Sequence, residues 1–180
     1  MARLFDCFKG KRFVDFRNYC IVALMLDSGL RLNEVVTLES GNIHIAEGYV
    51  IVNGKGNKQR IVPLGLNSKK ALLRYVSLIP NHCDKTPLFV KDTLTTLKQS
   101  TVKDLFRKLK IKADIPRLKP HLLRHTFATR YLENGGDIYT LQMILGHTTL
   151  EMVKKYIHLT TTKMTINFAE YSPLDNVLKK

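Results

Sequence analysis

From Phe16 to Asp27 the chain is apolar nearly all round, with no continuous polar stripe to face water. A helix of that kind is stable only when it is buried on most sides, so the rest of the chain has to be built around it. Gly29 punctuates its end. Leu32, Val35 and Val36 then continue as a short helix that carries Arg31 and Glu34.

The pattern after this changes period. Tyr49-Val-Ile-Val52 and Arg60-Ile-Val-Pro63 alternate like strands, and Asn53-Gly-Lys-Gly-Asn57 is a turn between them. Ser68 to Leu78 is helical by pattern. Ser100 stands as an N-cap before a helical stripe of Val102, Leu105, Phe106 and Leu109. Pro120 suits the first position of a helix running to Asn134 and stopped by Gly135-Gly136. Asp137 caps a further helix that ends at Gly146, and a last short helix buries Leu150, Val153 and Ile157. Tyr156 sits beside that stripe. From Thr160 to Lys180 apolar residues are scattered without a long period. The expected fold class is α+β, mainly α: a helical domain with a small antiparallel sheet or hairpin.

A length of 180 residues fits one domain with a tail. No apolar run approaches the roughly 20 residues of a membrane span, and the N-terminus lacks the apolar core of a secretory signal. Cys7, Cys20 and Cys83 are scattered and odd in number, which fits thiols in a reducing cytoplasm. The net charge of +14 points to nucleic acid as partner, and the expected location is cytoplasmic, with the nucleoid. Between Lys98 and Arg130 there are ten Lys or Arg residues against two acids, Asp104 and Asp114. Lys98, Lys103, Arg107, Lys108, Lys110, Lys112, Arg117 and Lys119 are the candidate DNA-backbone contacts in this run. No basic amphipathic helix with aromatic anchors accompanies it, so membrane binding is not expected.

The chemistry concentrates in the last third, where His121, Arg124, His147 and Tyr156 stand at spacings compatible with meeting one phosphate. A tyrosine hydroxyl, with a pKa of about 10, is a poor nucleophile at neutral pH. A cluster of cationic donors around a phosphodiester is what makes it useful. His121 and Arg124 are three apart and share a helical face at the positive end of their helix. His121 and His125 also have the i, i+4 spacing of a metal pair. The glutamate that a metalloprotease motif places next is Leu122, and no Cys-x-x-Cys accompanies them, so no metal or other cofactor is expected. His125 is expected to pack or bond inside the domain. Arg31 with Glu34 one turn later is either a surface ion pair or a guanidinium held for phosphate. Lys55 in its Gly-Lys-Gly turn is either an ordinary turn lysine or an ammonium placed over a leaving group.

Four segments carry a resemblance: Ser28-Gly-Leu-Arg-Leu-Asn-Glu34, Gly54-Lys-Gly-Asn-Lys-Gln-Arg-Ile-Val-Pro63, His121-Leu-Leu-Arg-His-Thr-Phe-Ala-Thr129, and Leu145-Gly-His147 with Tyr156. In order and spacing they resemble the phage-integrase, or tyrosine-recombinase, family over roughly residues 13 to 160. The resemblance implies a site-specific recombinase or integrase domain with catalytic positions at Arg31, Lys55, His121, Arg124, His147 and Tyr156, and Glu34 as the supporting acid. It implies metal-independent DNA strand transfer through a 3′-phosphotyrosyl intermediate, as in integration or recombination of a mobile element. Residues 1–160 would be the catalytic domain. Residues 161–180 would be a tail that packs on a neighbouring subunit or folds back. The N-terminal core-binding domain usual in the family is not seen. The implied partner is double-stranded DNA, with a homotetramer on DNA for the full-length protein and a monomer for the isolated domain. A type IB topoisomerase-like nicking and rejoining enzyme shares the same cluster, and a non-catalytic DNA-binding regulator is the alternative of another class.

Overall fold

The computed structural model describes residues 2–10, 12–54, 58–79, 83–147 and 149–154. The chain divides into two compact units, Met1–Phe127 and Ala128–Lys180.

The first unit is organised by helix α2, Phe13–Asp27. Six consecutive residues, Cys20 to Met25, are buried. A helix with only one covered face cannot achieve that, so the all-round apolar pattern is met by cover on every side. Helix α1, Ala2–Phe5, was not expected from the pattern; four residues are too short to show a helical period, and only Leu4 is buried. Helix α3, Leu32–Val36, follows α2 after Gly29, whose positive φ of 63° makes the sharp exit possible.

Three strands form an antiparallel meander: β1, Ile43–His44, β2, Tyr49–Asn53, and β3, Gln59–Pro63. His44 lies in β1 opposite Tyr49, its ring stacked on the tyrosine's at 4.6 Å, in a strand too short to alternate visibly in the sequence. The register pairs Val50 with Val62 and Asn53 with Gln59. Val50, Val52 and Val62 face the core, whereas Ile61 is exposed, which is the expected period of two.

Helix α4, Leu66–Val76, packs along α2 through Ser68, Leu72 and Tyr75. It starts two residues before the expected Ser68, because the Asp27 carboxylate accepts the Gly65 amide at 2.9 Å and fixes the chain at its N-cap. Tyr75 stacks on Phe89 at 5.3 Å. Its hydroxyl donates to the Leu88 carbonyl and accepts from the Val90 amide, so a buried side chain holds an irregular stretch in place. Arg17, also buried, donates to the Val90 carbonyl at 3.0 Å.

Helix α5, Gln99–Lys112, buries Val102, Phe106 and Leu109, with Leu105 half-buried. Its N-cap is Lys98 rather than Ser100, and no side chain caps it. A tertiary hydrogen bond from Gln99 to Asn33, 2.8 Å, draws the start forward instead. Helix α6, Pro120–Glu133, begins at the expected proline, and its residues up to Phe127 belong to the first unit.

In the second unit α6 ends before Gly135, whose φ is +88°. Helix α7, Ile138–Leu145, is capped by Asp137, which accepts the Thr140 amide at 2.7 Å. It ends at Gly146 in the left-handed conformation, φ 61°. Helix α8, Glu151–Lys154, buries Val153. Ile157 and Tyr156 lie outside the described residues, as does the tail. The mainly helical architecture with one small antiparallel sheet is the expected α+β class.

Candidate active site

Arg31 is the N-cap residue of α3, and Glu34 is the third residue of that helix. The Glu34 carboxylate reaches back to the Arg31 amide at 2.8 Å and also accepts from its guanidinium at 2.9 Å. The two bonds turn an exposed-looking i, i+3 pair into an oriented one, because Glu34 is only 5% exposed while Arg31 remains 40% exposed. Arg31 therefore has a fixed root and a face open to solvent.

The second holder of Glu34 was not foreseen. Arg60 on β3 donates to both carboxylate oxygens at 2.9 Å each. Each oxygen of Glu34 thus receives one bond from Arg60 and one from Arg31. Burial by itself would raise the Glu34 carboxyl pKa. The Arg60 hydrogen bonds, followed by the Arg31 amide and the attraction of the guanidinium groups, outweigh burial and hold it below its usual range. A signal existed in the sequence: Arg60 alternates with Val62 on the inward side of the strand, where a cation needs a carboxylate.

Arg124 is 6% exposed and donates to the Gly29 carbonyl at 2.7 Å. The left-handed turn at Gly29 aims that oxygen. Ser28, next to it, donates to the Pro63 carbonyl at the end of β3. The short loop between α2 and α3 is therefore tied to the sheet and to α6 by adjacent residues. Arg31, His121 and Arg124 come together lining one cleft of about 190 Å³, with Met25, Leu30, Leu32 and Pro120 as neighbours. Two guanidinium groups and an imidazole on low-polarity walls form an arrangement that can take a phosphate-sized anion.

His121 and His125 are both exposed on α6, so His125 does not pack in the interior, the first of the two roles expected of it. Among the described residues no third His, Cys, Asp or Glu joins them in a group able to hold a metal ion. His147 lies in the second unit directly after α7. Its amide donates to the Gln142 carbonyl at 3.1 Å, and the Gln142 side chain donates to its carbonyl at 3.1 Å. Lys55 and Tyr156 lie outside the described residues.

The basic run forms a separate feature. Lys103, Arg107, Lys110, Arg117 and Lys119 line a groove of about 530 Å³, with apolar surface from Phe106, Pro116, Leu118 and Pro120 between them. No carboxylate is among its lining residues. Lys98, Lys108 and Lys112 do not line it: Lys98 stands at the start of α5, Lys108 beside Asp104 and Arg107, and Lys112 donates to the Cys7 carbonyl at 2.7 Å. Among the described residues no helix is long and apolar enough to cross a membrane.

Known proteins share both the sequence and the shape. The family model "Phage integrase family" matches residues 2–163. Tyrosine recombinase XerD of Oceanobacillus iheyensis is 34% identical over 163 residues, covering 87% of this chain and 55% of the relative. The XerD of Halalkalibacterium halodurans is 31% identical over 170 residues, with coverage of 92% and 57%. The chain thus spans about half the length of the curated relatives it matches. Among solved structures, XerA recombinase superposes with a TM-score of 0.77 at 33% identity, over 96% of this chain and 61% of that one. The catalytic domain of bacteriophage HP1 integrase superposes with a TM-score of 0.70 at 26% identity, over 97% and 92%. The match runs through both compact units, and the chain belongs to the phage integrase family, the tyrosine recombinases.

Proposed function

We propose that this chain is a catalytic domain that cleaves and rejoins DNA strands at specific sites through a covalent phosphotyrosine. The observation that carries the reading is the cleft in which Arg31, His121 and Arg124 meet, with Arg31 and Arg124 each oriented by a buried partner. Solved relatives include XerH recombinase bound to its difH substrate and the Tn1549 transposon integrase with a circular-intermediate DNA. The substrate of this chain is then double-stranded DNA.

The Tyr156 hydroxyl attacks the scissile phosphorus, and the bond from phosphorus to the 5′-oxygen breaks. Tyr156 ends esterified to the 3′-phosphate, and the departing 5′-oxygen takes a proton from Lys55. Arg31 and Arg124 hold the non-bridging oxygens and stabilise the charge that grows there, an effect commonly worth about 3–4 kcal/mol per donor. His121 assists proton movement at the tyrosine, and His147 adds a hydrogen bond to the phosphate. Bond energy is kept in the phosphotyrosyl ester, so a 5′-hydroxyl from a second strand reverses the step without ATP. The groove beside α5 tracks the DNA backbone through Lys103, Arg107, Lys110, Arg117 and Lys119. Residues 1–160 form the catalytic domain, residues 161–180 pack on a neighbouring subunit or in cis, and the whole protein acts as a tetramer on DNA in the nucleoid. Recombination of a mobile element and resolution of chromosomes both fit this chemistry.

The test is a duplex nicked near the cleavage site, so that the released fragment diffuses away and the adduct accumulates. Wild type is expected to form a covalent protein–DNA band and Tyr156→Phe none. An adduct that persists in Tyr156→Phe would falsify the nucleophile. A substrate with sulfur at the 5′-bridging position, which leaves without a proton, is expected to restore cleavage by Lys55→Ala.

A further inference from the structure

We infer that Arg60 is a positioning residue, whose two-pronged grip on Glu34 fixes Arg31 and ties the β2–β3 hairpin to the start of α3. The inference rests on the proposed function in what it says of Arg31. A carboxylate held by one partner can rotate about its last bond; one gripped on both oxygens by a planar fork cannot. Arg60 supplies that fork, at 2.9 Å to each oxygen, and is itself only 12% exposed. Arg31 takes the remaining positions, one on each oxygen. The plane of the Glu34 carboxylate, and with it the direction of the Arg31 guanidinium, is therefore set from β3.

The same residue has a second connection. Arg60 pairs across the sheet with Val52, next to the Asn53–Gln59 pair that closes the hairpin. The Gly54 amide donates to the Lys58 carbonyl at 2.8 Å, so the base of the turn is fixed. Arg60 thus joins the start of α3 to the base of the β2–β3 hairpin. Lysine at position 60 keeps the charge but offers a point donor, unable to hold both oxygens in a plane.

The experiment compares the full chain with Arg60→Lys in two measurements. Hydrogen exchange at the Arg31 amide reads the bond to Glu34 without DNA, and it is expected to quicken by about tenfold in the variant. Adduct formation on the nicked duplex is expected to slow by about tenfold to a hundredfold. That deficit should shrink on a methylphosphonate substrate, which lacks the charge that Arg31 meets. Unchanged exchange, an unchanged cleavage rate, or an equal deficit on both substrates overturns the inference. If wild type forms no adduct, the proposed function fails, and the exchange measurement alone decides whether Arg60 orients Arg31. Should Arg60→Lys not fold, Arg60→Gln, which keeps one donor, takes its place. Failure of both to fold makes Arg60 a support of the fold alone and overturns the positioning role.

Discussion

The cleft at Arg31 and the groove beside α5 both gather positive charge, and they do it in opposite ways. In the cleft the cations are rooted: Arg124 is buried on a main-chain carbonyl, and Arg31 is held by a buried carboxylate that Arg60 grips from the other side. In the groove the cations are exposed, on long side chains with no carboxylate among the lining residues. Charge held in low-polarity surroundings keeps its strength and direction, whereas exposed charge is screened within about 10 Å at ordinary salt. The first kind suits a transition state, which demands fixed geometry. The second suits a polymer, which demands reach and tolerates disorder.

If this division is right, the largest effect belongs to the cleft. Arg124→Ala should cut the rate of adduct formation at saturating DNA by about 10²–10³. A rate repaired by lowering the salt would break the comparison, since it would make Arg124 one more groove cation. Next comes the groove: Lys110→Gln combined with Lys119→Gln should reduce the slope of log affinity against log salt by about 2, roughly 0.9 for each phosphate that is no longer neutralised. Their adduct rate at saturating DNA should match wild type.

The third effect is one of pH. The folded Glu34 carboxyl is held below its ordinary value of 4.5, so the charged form stabilises the fold. That contribution is complete above the ordinary value and is lost as the pH falls through the depressed one. In thermal melts the gap between wild type and Glu34→Gln should therefore narrow on acidification, and a gap constant with pH would remove the ion pair from the account. The smallest effect is expected at Asp104, which pairs with Arg107 at the exposed edge of the groove. Asp104→Asn should leave stability within about 0.5 kcal/mol and should, if anything, tighten DNA binding by releasing Arg107.

The sequence was most legible where one residue decides a local shape. Pro120, Asp137 and Gly146 stand where a helix start, a cap and a stop were expected. The all-round apolar stretch became the buried α2, and alternation placed β2 and β3 within a residue of their ends. Failures came where distant residues decide. The start of α4 depends on Asp27, that of α5 on Asn33, and neither partner is near in sequence. His125 is exposed because helical spacing puts it a turn beyond His121, on the same outward side of α6. In the candidate site, Arg31, Glu34, His121 and Arg124 were legible as residues, and so was the Arg31–Glu34 pair, but what holds Glu34 and Arg124 was not. Arg60 lies 26 positions from Glu34, and the Gly29 oxygen that receives Arg124 belongs to the backbone, which no motif can spell.

That last bond carries a consequence for how the site tolerates mutation. The oxygen that anchors Arg124 belongs to the main chain, so no exchange of side chain at residue 29 deletes it. What a substitution at Gly29 changes is its bearing, because a residue with a Cβ resists the left-handed turn by roughly 1–2 kcal/mol. Chemical damage to the anchor is therefore ruled out at that position, and only steric damage remains. The glycine guards a direction in space, and its loss would be felt first as an arginine pointing slightly the wrong way.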